Sequence, residues 1–223
     1  MYSIIVPTIW RGDEIRLMLP YIDKHPLIGE IIIINNAVNN TPDWFLNSTY
    51  TKVRTFDMSQ NTYVNPAWNI GVRNATYDKI CLLSDDVFFD PQVFEVLNDK
   101  LSPNDGCAGP AMLPPHNISA GIEVQNRTPN LNMTNGYGIL LFFNKQNYVP
   151  IPKPLKIYFG DVWIYMQSII QNKEPRMLHN FNIRTVLGTS STTDTFNKVA
   201  SDDFIWWRTN INSWDDIVNY KET

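Results

Sequence analysis

The chain is poor in cysteine, in positive charge and in long apolar runs, and each shortage excludes a class of protein. Two cysteines occur in 223 residues, Cys81 in a predicted buried strand and Cys107 in a predicted loop. We therefore expect no disulfide. Lys and Arg number 18 against 22 Asp and Glu, a net charge of -4 that argues against nucleic-acid binding. No apolar run reaches the length of a membrane span, and no basic and apolar leader opens the sequence.

The overall composition is that of an ordinary globular protein. The chain is 43% hydrophobic and 18% charged, it shows no internal repeat, and its length suits one substantial core. We predict a single domain over residues 1–223. The abundance of Asn and Ile suggests an AT-rich microbial or viral genome. Because the sequence is compact and shows no membrane span, we expect a cytoplasmic location, or the host cytoplasm if the chain is viral.

Strand and helix patterns alternate along the first half. Strands are predicted at 3–6, 31–34, 52–56 and 79–83, and helices at 14–22 and 66–75. Pro20 is expected to bend or end the first helix, and Asn65 to cap the second. Because alternating strands and helices are joined by right-handed crossovers, we predict an α/β fold with a mostly parallel sheet flanked by helices.

The second half is less regular. The patterns predict a helix at 92–99, a Pro/Gly-rich stretch at 103–115, a strand at 136–143 and a rigid connector at 150–154. A helix follows at 161–171. From Arg184 onward the chain reads as a polar tail that contains an aromatic segment at 204–207.

The most informative stretch is Ser84-Asp85-Asp86, which directly follows the predicted strand 79–83. Open α/β sheets bind ligands at the carboxyl ends of their strands. Carboxylate oxygens suit Mg²⁺ or Mn²⁺, ions that usually also hold substrate phosphates. The alternative is an Asp-rich turn without a ligand.

Several patterns resemble, in order, those of nucleotide-sugar glycosyltransferases of the GT-A fold, especially the inverting enzymes of family 2. Residues 4–8 resemble the family's first strand and its turn, and 33–36 the strand that ends beside base or ribose. Residues 61–71 are similar to the pattern N-x-G-x-x-x-A-x-N-x-G, with Tyr63 in place of the first glycine. Within that pattern Trp68 stands where Arg is usual.

The remaining matches concern the acidic residues. Ser84-Asp85-Asp86 falls at the D-x-D position, with Ser in place of the first acid, and 159–163 falls at the acceptor motif. The resemblance spans about residues 3–172. It implies that Asp86 binds the metal ion and that Asp85 contacts the ribose or a metal-bound water. It also implies that Asp161 is the base, kept ionised by a helix N-terminus. A simple helix cap is the alternative role for Asp161.

The resemblance also implies a set of nucleotide contacts, for some of which core packing is the alternative. Besides Asp85 they are Thr8, Trp10, Arg11, Asn36, Tyr63 and Asn69. Many family members complete the metal site with a histidine. His179 is the candidate here, although the spacing aligns that histidine better with 187–188, where none stands.

These expectations add up to a metal-dependent glycosyltransferase that uses Mn²⁺ or Mg²⁺. Residues 1–100 would bind the nucleoside-diphosphate sugar, a UDP-sugar as first expectation, and 101–223 a glycan or other hydroxyl acceptor. A sugar nucleotidyltransferase is a second reading, against which the glycine-poor stretch 7–12 argues. The third is a degenerate module that binds sugar or nucleotide without turnover.

Overall fold

The computed structural model describes residues 1–111, 121–126, 137–180, 182–185 and 194–220, which form a layered α/β structure. The strands are β1 (Tyr2–Thr8), β2 (Ile28–Asn35), β3 (Val53–Asp57), β4 (Lys79–Leu83), β5 (Val87–Phe89), β6 (Asp105–Pro110), β7 (Glu123–Asn126), β8 (Leu140–Asn144), β9 (Glu174–His179) and β10 (Ile183–Thr185). The helices are α1 (Glu14–Lys24), α2 (Asp43–Leu46), α3 (Val64–Asn74), α4 (Val93–Lys100), α5 (Gly160–Ile170), α6 (Asp194–Asn210) and α7 (Trp214–Asn219). None of these helices is both long and apolar enough to cross a membrane.

One sheet of eight strands runs through both halves of the chain, in the order β3-β2-β1-β4-β8-β6-β9-β7. The first four strands are parallel. Strand β8 is antiparallel to β4 and β6, β9 is parallel to β6, and β7 is antiparallel to β9. Strands β5 and β10 form a separate antiparallel pair. The α/β prediction is confirmed, with its parallel part concentrated in the first half.

The sheet divides the core into two layers because successive side chains of a strand point to opposite faces. In β2, Ile31 and Ile33 join one layer and Ile32 and Ile34 the other, and all are fully buried. Helices α1 and α4 cover the first layer, and α3 and α5 the second. The unbroken isoleucine run of β2 is typical of a strand that is buried on both faces.

Three local predictions are corrected. Helix α1 does not end at Pro20 but continues to Lys24. The residue that caps α3 is Tyr63 rather than Asn65, and Phe159 caps α5, so that Asp161 lies inside the first turn. In both helices an aromatic residue in a left-handed backbone conformation makes the turn into the helix. That conformation is rare for such side chains, and a propensity argument does not find it.

The sequence patterns did not predict one strand, β6, and one helix, α6. Strand β6 lies within the predicted Pro/Gly-rich stretch, where Gly106 lets α5 approach the sheet: a Cβ there would lie 2.8 Å from Ser168 Cβ. Helix α6 lies in the predicted polar tail. Residues 112–115 of the Pro/Gly-rich stretch, Gly136 of the predicted strand and the pair 187–188 lie outside the described residues.

Candidate active site

A cavity of about 340 Å³ opens at the carboxyl ends of the parallel strands. This is where open α/β sheets place their ligands, and the volume is at the lower end of the range for small-molecule sites. Its walls come from the β1–α1 loop, the ends of β2 and β4, the start of α3 and the start of α6. The lining residues are Pro7, Thr8, Ile9, Arg11, Asn36, Asn61, Tyr63, Val64, Asp85, Ile157, Thr195 and Phe196.

Asp85 is tied to the end of β1. The Thr8 hydroxyl donates to Asp85 Oδ2 over 2.6 Å and itself accepts from the Trp10 backbone N–H over 2.9 Å. The Ile15 backbone N–H, in the first turn of α1, donates to the Asp85 carbonyl over 3.1 Å. The first carboxylate after β4 is therefore held in a fixed position at the cavity wall.

Asp85 and Asp86 share a half-buried, negatively charged environment. Burial raises the pKa of Asp85, and burial together with the neighbouring Asp85 charge raises the pKa of Asp86 to about 6. Gly12 packs directly over the pair, since a Cβ added there would lie 3.2 Å from the Asp85 carbonyl oxygen and 3.5 Å from Asp86 Cα. Burial therefore disfavours the ionised form of both carboxylates more than their hydrogen bonds favour it.

Asn36 and Trp10, both predicted to contact the nucleotide, differ in their placement. Asn36 lines the cavity, and its Oδ1 accepts from the Thr62 backbone N–H and hydroxyl over 2.9 and 2.7 Å. The Trp10 indole instead donates to Asn35 Oδ1 over 2.8 Å, and its ring lies 4.6 Å from that of Phe45. Among the described residues, Trp10 is not part of the cavity lining.

Tyr63 lines the cavity from an unusual backbone position. Its φ of 64° and ψ of -176° fall in a region that is essentially restricted to glycine. Asn61 Oδ1 stabilises the turn by accepting from the Tyr63 backbone N–H over 2.8 Å. Tyr63 thus adopts a backbone conformation typical of glycine. Glycine is also the residue that the pattern N-x-G-x-x-x-A-x-N-x-G carries at this position.

Asp161 lies in the first turn of α5, half-buried. Its side chain is packed against the backbone of Gly138, where an added Cβ would lie 2.8 Å from Asp161 Cβ. The residue is not part of the cavity lining described above. Its position at a helix N-terminus favours the ionised carboxylate.

Asn69 and His179 are placed away from the cavity. Asn69 binds the 150–154 connector: its Oδ1 accepts from the Tyr148 hydroxyl over 2.6 Å and from the Ile151 backbone N–H over 2.9 Å. His179 ends β9, three strand positions from β4, or roughly 14 Å across the sheet. In the described part of the chain, no group of at least three His, Cys, Asp or Glu residues could hold a metal ion. Asn69 and His179 thus lie outside the cavity lining, and their predicted roles stay predictions.

Three lining residues had no signal in the sequence. Ile157 precedes α5, and Thr195 and Phe196 open α6. The resemblance seen in the sequence ends near residue 172, so no motif pointed to α6, and only the fold brings it to the cavity.

Comparisons with known proteins agree with this architecture. The family model described as Glycosyl transferase family 2 matches residues 3–172. The structure is similar to that of the mannosyltransferase PcManGT from Pyrobaculum calidifontis, solved with GDP-Man and Mn²⁺, with a TM-score of 0.66 and 11% identity over 100% of this chain and 65% of that one. S. aureus TarS 1-349, solved with UDP-GlcNAc, gives 0.61 and 12% over 97% and 69%. GalNAc-T7, solved with UDP, GalNAc and Mn²⁺, gives 0.65 and 11% over 94% and 49%.

These structural neighbours share the GT-A fold, and the GT-A prediction is confirmed. The chain spans about half to two thirds of their length. A comparison with curated protein sequences gives no match. Because the family match covers most of the chain and includes the acidic pair, the chain belongs to glycosyl transferase family 2.

Proposed function

We propose that the chain transfers a sugar from a nucleoside-diphosphate sugar to an acceptor hydroxyl, by direct displacement with inversion and with the help of a divalent cation. The observation that carries this proposal is the pair Asp85 and Asp86 at the end of β4, with raised pKa values beside a cavity of suitable size. A degenerate module that binds without turnover remains the second candidate, and the experiments below separate the two.

The carboxylates fit a Mn²⁺ or Mg²⁺ ion. They are hard oxygen donors, and a bound cation would offset the burial and the repulsion between acids that raise their pKa values. Two carboxylates are enough when phosphate oxygens and water supply the other ligands. Asp86 would hold the ion, and Asp85, fixed by Thr8, would hold a metal-bound water or the ribose. When bound, such a cation neutralises charge on the diphosphate leaving group.

The nucleotide would occupy the cavity. Asn36, fixed by Thr62, would contact the base or the ribose, and the half-buried Tyr63 ring would stack on the base. Arg11 lies at the cavity with a charge suited to phosphate. A UDP-sugar is the first choice of donor, as in the TarS complex, and a GDP-sugar the second, as in the PcManGT complex.

Asp161 would act as the base. An inverting displacement requires a group that takes the proton of the acceptor hydroxyl as that oxygen attacks the anomeric carbon. The N-terminus of α5 favours a negative charge in its first turn, and Gly138 restricts where the Asp161 side chain can lie. The acceptor, a glycan or another hydroxyl compound, would approach from this side of the site.

The first test is calorimetric titration with UDP, GDP and TDP, each with Mn²⁺ and with EDTA. We expect one nucleotide to bind in the presence of Mn²⁺ and to lose that binding in Asp86→Asn. Asp90→Asn is the matched control, because Asp90 is a nearby acid whose Oδ1 accepts from Gln92 N, outside the cavity lining. Absence of binding to every nucleotide by the folded protein would refute the donor site.

The second test is turnover. Asp161→Asn should abolish transfer to water or to an acceptor while its nucleotide affinity stays that of the wild type, because the residue acts on the acceptor. The anomeric configuration of the released sugar, read by NMR, reports inversion. Nucleotide binding without turnover of any nucleotide sugar would favour the degenerate module.

A further inference from the structure

Helix α6 follows the family-matched residues 3–172 and carries a fully buried aspartate. Asp203 is 0% exposed, and its carboxylate faces the loop 156–158 just before α5. Oδ1 accepts from the Lys156 backbone N–H over 2.8 Å, and Oδ2 accepts from those of Ile157 and Tyr158 over 2.7 and 2.8 Å. Three consecutive backbone donors thus converge on one side chain.

The face of α6 that carries Asp203 lies along this loop. Phe196, Ala200, Asp203 and Trp207 recur at helical spacing and share that face. The Trp207 ring stacks on Phe159 with centroids 4.6 Å apart and planes at 8°. At the other end of the helix, Phe196 reaches the cavity lining. The helix therefore packs from the cavity to the start of α5.

The loop is fixed on its other side by α3. Asn65 donates its backbone N–H to the Lys156 carbonyl and its Nδ2 to the Tyr158 carbonyl, each over 2.9 Å. The loop 156–158 is thus held by two residues from separate elements: the Asp203 carboxylate accepts from its N–H groups, and the backbone and side chain of Asn65 donate to two of its carbonyls. Ile157 is consequently fixed at the cavity wall, and the turn that leads to Asp161 is fixed with it.

We propose that Asp203 is a positioning residue for the transfer reaction, which sets the loop 156–158 and through it the N-terminus of α5 that carries Asp161. The inference rests on the proposed role of Asp161 as base. Helix α6, which lies beyond the family match, would then align the acceptor side of the site with the donor cavity. A buried carboxylate suits this task, since loss of one oxygen leaves a buried N–H group without a partner.

Asp203→Asn tests the proposal because the side chain keeps its size. In either orientation its NH₂ group opposes at least one backbone N–H of the loop. Ala200→Gly is the matched control: it weakens the same helix one turn earlier and leaves the Asp203 contacts in place. Both variants are studied below their unfolding temperatures.

Hydrogen exchange gives the first readout and needs no activity. In the wild type, the amides of 156–158 should be protected although they lie in a loop. In Asp203→Asn they should exchange at least about tenfold faster, and in Ala200→Gly at the wild-type rate. Unprotected wild-type amides would overturn the proposal, as would equal exchange in the two variants.

Kinetics give the second readout. We expect kcat of Asp203→Asn to fall at least about tenfold, with the donor KM and nucleotide Kd within about threefold of the wild type. Ala200→Gly should keep the wild-type kcat. An unchanged kcat in Asp203→Asn would overturn the proposal. If the wild type itself turns over no nucleotide sugar, the proposed function fails, while hydrogen exchange still decides whether Asp203 sets the loop.

Discussion

At the scale of single residues, Asp86 links the candidate metal site to stability. Its pKa rises from the ordinary 3.8 to about 6 on folding, because burial and the Asp85 charge disfavour the ionised form. The folded protein therefore binds this proton more tightly than the unfolded chain does. The resulting stabilisation is full below pH 3.8 and is lost as the pH rises through about 6.

Asp86→Asn should consequently stabilise the metal-free protein at pH 7.5, by about 1–2 kcal/mol once partial exposure is allowed for. The gain should disappear below about pH 4, where the wild-type carboxyl is protonated in both states. Thermal unfolding in EDTA across this pH range measures the effect, with Asp90→Asn as control. A variant that is less stable than the wild type at pH 7.5 would contradict the environment described for Asp86.

Some of the predicted nucleotide contacts line the cavity and others do not, and the difference follows from where each residue stands relative to its strand. Thr8, Asn36 and Asp85 follow directly from strands, so a correct strand end places them at the cavity. Trp10 depends on the direction that the chain takes after β1, and it has a positive φ. A motif does not encode such a turn. His179 is the last residue of β9 and is placed by the position of that strand in the sheet order. The roles of all the candidate residues stay predictions until they are tested.

At the scale of elements, Gly71 shows what one residue of the family pattern does. It lies in α3 where the helix crosses β1, and an added Cβ would lie 2.3 Å from Ile5 Cγ2. Ile5 is fully buried, so the side chain has little room to move. The glycine therefore sets the distance between helix and sheet, and the start of α3 lines the cavity as a consequence.

Gly71→Ala should destabilise the protein by about 1–3 kcal/mol, as overpacking of a core does, despite the better helix propensity of alanine. Ile5→Ala removes the two γ-carbons that the added Cβ would meet, so the cost of Gly71→Ala should be smaller in the Ile5→Ala background. Urea unfolding of the four proteins in this double-mutant cycle measures the coupling. Additive effects would show that the helix can shift away without cost.

Elements were predictable where local pattern and burial agree. Strand β2 is an unbroken isoleucine run, and β4 coincides with its predicted bounds 79–83. Strand β6 was missed because its Asp-Gly-Cys-Ala-Gly-Pro sequence lacks strand formers and is held by its neighbours β8 and β9. Helix α6 was missed because Asp203, on its buried face, reads as a surface residue.

At the scale of the whole molecule, the two cysteines lie on opposite faces of the sheet. Cys81 belongs to the layer covered by α1 and α4, and Cys107 to the layer covered by α3 and α5. Both are fully buried, and neither is part of a disulfide. Burial raises the pKa of the Cys81 thiol and further lowers its reactivity.

Both thiols should therefore react with a thiol reagent only when the protein unfolds. We expect their labelling rates to be equal and to follow the unfolding rate across a urea series, because the layers share one sheet. Circular dichroism gives the reference unfolding rate. Labelling of Cys107 well before Cys81 would instead show that the layer of α3 and α5 opens on its own.

Tyr63 has a consequence for anyone who engineers this protein. Its backbone conformation is allowed for glycine but strains tyrosine by about 1–3 kcal/mol. Relief of this strain should outweigh the conformational entropy that a glycine loses on folding, roughly 0.5–1 kcal/mol. A thermostabilisation screen would therefore select Tyr63→Gly early, and would remove the ring from the cavity in doing so. Selection for heat resistance would therefore act against the stacking on the base that we propose for Tyr63, and variants ranked by melting temperature alone would lose that contact.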